Sequence, residues 1–184
     1  GPDYIGLKPT MLVKEGDRVS SGQKLFEDKK NSGTFITSPS SGLVQSINRG
    51  EKRRFLSLII EVDDSIEPTQ FIAADYDSPV SFLVDSGALS YFRTRPYNRI
   101  PAKNELPKAI FINACDTNPL AIDPFHLINN DQELFNSGLA YISSINKDAK
   151  TFCAFQNNDF DQSVAGINYN QFNGPHPAGL TGTH

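Results

Sequence analysis

The sequence predicts a mixed fold, α+β or α/β, in which an all-β sandwich of tight hairpins precedes an α/β unit. Turn formers such as Gly16 and Gly22 separate short apolar segments within residues 1–62, which is typical of hairpins. Residues 108–184 carry a strand, a helix and a second strand in succession, which indicates a parallel sheet. Residues 63–107 are predicted to connect the two domains.

The first domain contains one longer β-type segment and several short ones. An apolar run of strand length over Arg53–Val62 closes the predicted sandwich. Turn formers follow the short segments, so neighbouring segments are expected to pair as antiparallel hairpins. The short segments are Val13, Arg18-Val19, Lys24–Phe26, Thr34–Thr37 and Leu43–Ile47.

Two motifs in this domain have a specific spacing. Val13–Leu25 reads V-x-x-G-D-x-V-x-x-G-Q-x-L, and Ser38–Val44 reads S-P-x-x-G-x-V. The pattern resembles the barrel-sandwich hybrid of biotinyl and lipoyl domains, whose carriers present one lysine at a hairpin tip. Here residues 31–33 (N-S-G) occupy the tip, and Lys29 and Lys30 precede it. We interpret both lysines as solvated surface charges, with a lipoyl- or biotinyl-type carrier as the alternative.

Composition and charge limit the possible functions. The net charge of −4 and the pI of about 5.3 do not favour nucleic acid as a partner. No apolar run is long enough to span a bilayer. Cys115 and Cys153 lack a C-x-x-C spacing, so we expect two core thiols; an iron–sulfur centre would need four. The two ends of the sequence lead us to expect a piece of a longer protein, truncated at both ends.

A basic, aromatic segment ends the connector. A helix is predicted to begin at Ser78-Pro79 and to end near Gly87. Tyr91–Pro101 then reads Y-F-R-T-R-P-Y-N-R-I-P, and its prolines predict a rigid, extended loop. Arginines and aromatic rings suit a phosphate, a carboxylate or a flat ligand with carbonyl oxygens. They also suit pairing with acidic residues of a neighbouring domain or protein, which the chemistry alone favours.

The second half predicts a partial Rossmann-like domain. Lys108–Asn113 and Thr151–Phe155 are apolar strands, and a helix is expected to begin near Asn130, with Glu133 at capping-box spacing. Ligands of such sheets bind at the carboxyl ends of the strands, here residues 113–119 and those after Gln156. No G-x-G-x-x-G opens the helix, so the dinucleotide fingerprint is missing.

The chain ends in a glycine- and proline-rich motif that contains His176 and His184. Two histidines without a third donor in a defined arrangement make a weak metal site. We therefore predict a structured loop and no metal.

Six motifs taken together are similar to those of the NqrA family, one of the components of the sodium-translocating NADH:quinone reductase. The resemblance covers nearly the whole chain in the right order. The motifs are G-L-K-P-T-M-L-V-K-E-G-D, L-F-E-D-K-K-N-S-G, I-N-R-G-E-K-R, R-T-R-P-Y, A-C-D-T-N-P-L-A and G-P-H-P-A-G-L-T-G-T-H.

This resemblance implies a peripheral subunit on the cytoplasmic side of the bacterial inner membrane. The complex is an oxidoreductase and translocase that oxidises NADH, reduces ubiquinone and pumps sodium, with its flavins, iron–sulfur centre and NADH site in partner subunits. The family's fold is related to the flavin subunit of respiratory complex I and to its counterpart in the Rnf complex. Membrane contact would run through partners only, and this chain alone is expected to be inactive.

The same resemblance predicts that the chain holds no redox cofactor and no catalytic residue. The flavin subunits carry a glycine-rich G-R-G-G-A-G-F-P-T loop where this chain has Leu89–Tyr97, and glycines are what let backbone N–H groups approach a flavin phosphate. What remains is quinone binding or subunit docking. The quinone candidates are Phe92, Arg93, Arg95 and Tyr97, with Tyr4 and the Leu7-Lys8-Pro9 segment as weaker ones. A purely structural scaffold is the alternative.

Overall fold

The computed structural model describes residues 6–183, and the chain divides into two compact units, residues 1–105 and 106–184. The predicted boundaries at residues 62 and 107 stay predictions. No helix within residues 6–183 has the length and the apolar character needed to cross a bilayer.

The first unit begins with two antiparallel three-stranded sheets, as expected for a barrel-sandwich hybrid. One sheet has the order β1-β3-β4 and the other the order β2-β5-β6. The strands are β1 (Pro9–Met11), β2 (Arg18–Val19), β3 (Lys24–Asp28), β4 (Phe35–Thr37), β5 (Gly42–Arg49) and β6 (Phe55–Val62).

One predicted strand was wrong. Val13 is not in a strand, because pairing with β3 ends at Met11 and the chain then crosses toward the other sheet. Leu12 still donates its N–H to Leu25 O at 2.9 Å, and Gly16 donates to Val44 O at 2.8 Å. Val13 is buried at this crossing, so its apolar character reflects the core rather than a strand.

The core of the sandwich lies between the two sheets. Side chains that alternate along each strand point inward, as the period of a β-strand requires. Phe26 contacts Phe55 across the core, with 5.3 Å between ring centroids. The buried cluster is Val13, Val19, Leu25, Phe26 and Val44.

Gly42 is where three strands meet. It pairs with Val19 of β2 on one side and with Val62 of β6 on the other. A Cβ added there would lie 2.1 Å from the carbonyl oxygen of Glu61. Because no carbon atom fits at that distance, only glycine allows this approach of β5 to β6.

Helix α1 (Pro79–Asp85) follows in the connector and begins where the sequence predicts. Ser78 accepts a hydrogen bond from Ser81 N at 3.2 Å, and its own N–H donates to Ser81 Oγ, which completes a capping box. Gly87 ends the helix with φ +76°, in the left-handed region that glycine adopts at low cost.

Lys24 fixes the end of α1 to the first sheet. Its Nζ lies 2.7 Å from Asp85 Oδ1 and 4.1 Å from the centroid of the Phe35 ring. The lysine therefore makes an ion pair and a cation–π contact at once. Helix α1 is held beside β3 and β4 as a result.

The second unit is a parallel three-stranded sheet in the order β7-β8-β9, with two helices between β7 and β8. This confirms the α/β character of the second domain. The elements are β7 (Ala109–Ala114), α2 (Pro124–Asn130), α3 (Gln132–Ser143), β8 (Lys150–Phe155) and β9 (Ile167–Gln171).

Three features of this unit differ from the prediction. The helix expected near Asn130 is α3, which begins at Gln132, and no side chain caps it, because Asp131 has the non-helical angles φ −134° and ψ 48°. Helix α2, capped by Asp123, was missed. Strand β9 was missed because Ile167–Gln171 is short and half polar, with Asn168 and Gln171 exposed.

Apolar side chains bury one face of the sheet beneath α2 and α3. Phe160 stacks on Phe155 at 5.0 Å between ring centroids and meets Phe135 edge-on at 5.8 Å. Both cysteines are buried and unpaired with each other, as expected for core thiols. The buried cluster is Ala114, Leu139, Cys153, Phe155 and Phe160.

Replacement of Gly42 by alanine is expected to lower the free energy of unfolding by about 3 kcal/mol, because the new methyl group forces β5 from β6. Gly138 is the matched control. It lies within α3 with nothing within 4 Å of an added Cβ, so Gly138→Ala should raise the free energy of unfolding by about 0.5–1 kcal/mol. Urea unfolding followed by circular dichroism measures both, and a neutral Gly42→Ala would contradict the close approach.

Both thiols are expected to resist alkylation in the folded chain. Burial raises the pKa of Cys153 to about 12 and that of Cys115 to about 11, with Asp123 adding to the rise at Cys115. Because folding raises these pKa values, the free energy of unfolding should fall as the pH rises above about 8.5. Iodoacetamide labelling at neutral pH, read by mass spectrometry, should be slow without urea and fast with it; fast native labelling would be the contrary result.

Candidate functional site

The basic, aromatic segment forms a closed turn, not the extended loop expected from its prolines. Thr94 donates its N–H to Arg99 O at 2.7 Å, and Asn98 donates to Thr94 O at 2.8 Å. The Arg95–Pro96 peptide is cis, and Asn98 has φ +51°. Asparagine tolerates the left-handed region better than most residues, so it lets the chain reverse. We call residues 94–99 the basic turn.

Phe92 and Arg93 lie at the start of the segment and are bound to the helix end before it. The N–H of Phe92 donates to Leu89 O at 3.1 Å, at the end of the one-turn 3-10 helix Ala88–Tyr91. The guanidinium of Arg93 donates to Ser90 O at 2.5 Å and to Phe92 O at 2.7 Å. Arg93 therefore orients the chain that enters the basic turn.

Arg95 and Tyr97 lie on the basic turn itself, and both are exposed. The ring of Tyr97 is 70 % exposed, and the guanidinium carbon of Arg99 lies 5.7 Å from its centroid. The four predicted residues thus fall into two places, the helix end and the turn. Arg99 was not among them, although the Y-N-R spacing puts it two residues from Tyr97.

The far end of the segment is fixed by the β3–β4 hairpin. The side-chain amide of Asn31 donates to Ile100 O at 3.2 Å and to Pro101 O at 3.1 Å. A Cβ on Gly33 would lie 2.7 Å from Lys103 Cδ, so the lysine stem covers the glycine. The basic turn is therefore held at both ends, by Arg93 and by Asn31.

The same contacts bear on the carrier alternative. Lys29 and Lys30 are exposed, and the buried Asp28 accepts hydrogen bonds from the N–H groups of Lys8 and Lys30 at 3.0 and 3.1 Å. A swinging arm needs a hairpin tip that projects into solvent, whereas this tip is bound to residues 100–103. The exposure of both lysines agrees with solvated surface charges.

In the second unit, the C-terminal loop lies over the carboxyl end of β7. The amide of Asn113 donates to Gly179 O at 3.0 Å, and Gly179 N donates to Thr117 Oγ1 at 2.9 Å. His176 Nδ1 lies 3.3 Å from the same Thr117 oxygen. A Cβ on Gly179 would lie 2.7 Å from Thr117 N. The chain itself therefore occupies the place where ligands of parallel sheets bind.

The start of α2 does not fit a dinucleotide phosphate. A phosphate at a helix start needs unoccupied N–H groups and a close backbone approach. Here Asp123 accepts from Phe125 N at 2.9 Å, and Pro124 has no N–H. The carboxylate of Asp123 stands where the phosphate would, and it would repel one.

Some sequence candidates give no site. Within residues 6–183 no group of three His, Cys, Asp or Glu side chains could hold a metal ion; His184 lies outside that range. Tyr4 also lies outside the described residues. Leu7 packs against the core of the sandwich, so it faces inward.

Two family models match the chain. The model described as the NqrA N-terminal barrel-sandwich hybrid domain matches residues 1–63, and the model described as the NqrA second alpha/beta domain matches residues 75–184.

Relatives from several bacteria share the sequence along its full length. Proteins named as the NqrA component of Na(+)-translocating NADH-quinone reductase are 42 % identical in Yersinia pseudotuberculosis serotype O:1b, 44 % in Photorhabdus laumondii and 42 % in Glaesserella parasuis. Each alignment covers 100 % of this chain and 43 % of the relative, so the chain spans less than half the length of the curated relatives it matches. The family models and the shared identity show that the chain belongs to the NqrA family.

Proposed function

We propose that the chain forms part of the NqrA component of a sodium-translocating NADH:quinone reductase, in which it binds the quinone head group and holds no redox cofactor. NADH oxidation and sodium movement then belong to partner subunits, which carry the flavins and the iron–sulfur centre. The NqrA component would lie peripherally on the cytoplasmic side of the bacterial inner membrane. The names of the relatives support the complex, and the basic turn supports the quinone.

Two observations support the absence of a redox cofactor. The helix start that would receive a phosphate is capped by Asp123, and the strand end beside it is covered by Gly179. The cysteines are buried with pKa values raised to about 11 and about 12. Such thiols stay protonated near neutral pH, so they supply neither a nucleophile nor thiolate ligands.

The observation that carries the quinone proposal is the exposed pair of Tyr97 and Arg99 on a turn held at both ends. A quinone head group is flat and ends in two carbonyl oxygens. An aromatic face can stack on the ring, while a guanidinium donates to a carbonyl oxygen. Arg95 is exposed on the same turn and offers a second guanidinium.

The four residues predicted from the sequence then have two roles. Phe92 and Arg93 position the turn, because their contacts are with the preceding helix end. Arg95 and Tyr97 contact the ligand, together with Arg99. The second candidate function is docking of another subunit, since exposed tyrosine and arginine are also the residues that dominate protein interfaces.

A double variant should separate these roles. We expect saturable NMR shifts at residues 94–99 when a water-soluble ubiquinone analogue is added, and binding about ten-fold weaker in Arg95→Ala/Arg99→Ala, because ligand contacts of this kind contribute about 1.4 kcal/mol. Arg53→Ala/Arg54→Ala is the matched control, since it removes two exposed arginines from the β5–β6 connection. Its affinity should equal that of the unaltered chain.

Other results would favour the alternatives. An unchanged spectrum at saturating analogue would leave scaffolding as the better account, and equal loss in both double variants would indicate nonspecific attraction. A lipoyl or biotinyl adduct on Lys29 or Lys30 in the intact mass would support a carrier. Yellow absorbance that survives dialysis, or NADH oxidation by the chain alone, would contradict the proposal that it holds no cofactor.

A further inference from the structure

A group of exposed apolar side chains precedes and begins α2. Leu120 is 106 % exposed, Ile122 60 % and Leu127 57 %. Asp123 caps α2, so Ile122 is the residue before the cap and Leu127 is the fourth helical residue. Residues at these two positions lie side by side at a helix start. We call Leu120, Ile122 and Leu127 the apolar patch.

Leu120 adopts an unfavourable backbone conformation. Its φ is +66°, in the left-handed region that residues with bulky side chains rarely occupy. Such a conformation costs stability and is typical of functional positions. A strained leucine that is fully exposed gains nothing from the core, so its side chain is available for contact with another molecule.

The surroundings of the apolar patch are acidic. Between Lys108 and Lys147 the sequence has no lysine or arginine. It has four carboxylates, which are Asp116, Asp123, Asp131 and Glu133. Anionic lipid attracts basic segments and repels acidic ones, so a membrane surface does not fit this patch, whereas a protein surface with lysine or arginine around an apolar centre does.

We propose that the apolar patch docks another subunit of the complex, through a surface on that partner that has an apolar depression ringed by basic residues. This inference rests on the proposed function only in that the chain belongs to a multi-subunit complex. It involves residues of the second unit, while quinone binding involves the basic turn of the first. Failure of one therefore leaves the other testable.

The test uses the complex isolated from cells that lack the NqrA component, immobilised in detergent and titrated with the 184-residue chain. Leu120→Asn and Ile122→Asn should each weaken binding about ten-fold or more, as loss of an apolar anchor does. Leu106→Asn is the control, because Leu106 is 58 % exposed and lies outside the patch. Its affinity should match that of the unaltered chain, and high ionic strength should weaken all binding.

Stability provides a second readout. Asparagine accepts positive φ more readily than leucine, so Leu120→Asn should raise the melting temperature by about 2–4 °C while it weakens binding. Weaker binding with a lower melting temperature would indicate misfolding, and Ile122→Asn then decides, because residue 122 does not have positive φ.

Three outcomes would overturn the proposal. They are an absence of binding by the unaltered chain, equal binding by patch and control variants, and binding that high salt strengthens. Two further measurements decide between occupants. Binding to vesicles that contain anionic lipid, lost in Leu120→Asn, would assign the patch to a membrane. Self-association in sedimentation, lost in the same variant, would assign it to a second copy of the chain.

Discussion

The position without a side chain at Gly42 is the constraint on which the first unit depends. Gly42 pairs with β2 and with β6 at the same point, and a Cβ there would lie 2.1 Å from Glu61 O. Pairing on both sides places Val19 and Val44 in one core. The second sheet closes this core, and its β3–β4 hairpin presents Asn31 to the carbonyls of residues 100 and 101. The geometry of the basic turn therefore depends on packing far away in sequence.

A common feature links the two units. In each, a group of the chain itself occupies the place where related folds hold a cofactor. Asn31 and Gly33 bind residues 100–103 at the hairpin tip, and Asp123 and Gly179 fill the carboxyl end of β7. Both places thereby become rigid and polar contacts stay within the chain. Function is then best sought on exposed surfaces, which is where the basic turn and the apolar patch lie.

Local patterns predicted much of the fold, and long-range contacts account for what they missed. Alternation and turn formers predicted β2 to β6, and the serine and proline at 78–79 predicted α1, because these signals act within a few residues. The same Asp-Pro signal at 123–124 was available for α2. The capping-box spacing of Asn130 and Glu133 drew attention from it, but Asp131 interrupts the helices there. The link from Asn31 to Ile100 spans 69 residues, and no local pattern encodes it. The closed turn depended on Thr94 and Asn98, whose hydrogen bonds were not apparent beside two prolines.

The energetics of Leu120 favour a partner over a bare surface. Left-handed backbone costs an L-residue about 1–2 kcal/mol, and full exposure returns none of it in the isolated chain. Complete burial of a leucine side chain contributes about 1.5–3 kcal/mol. Docking can therefore offset the strain, and the side-by-side Ile122 and Leu127 add buried area without strain, since neither has positive φ. The acidic surroundings then select which apolar surface is accepted, because a partner with an acidic rim would be repelled.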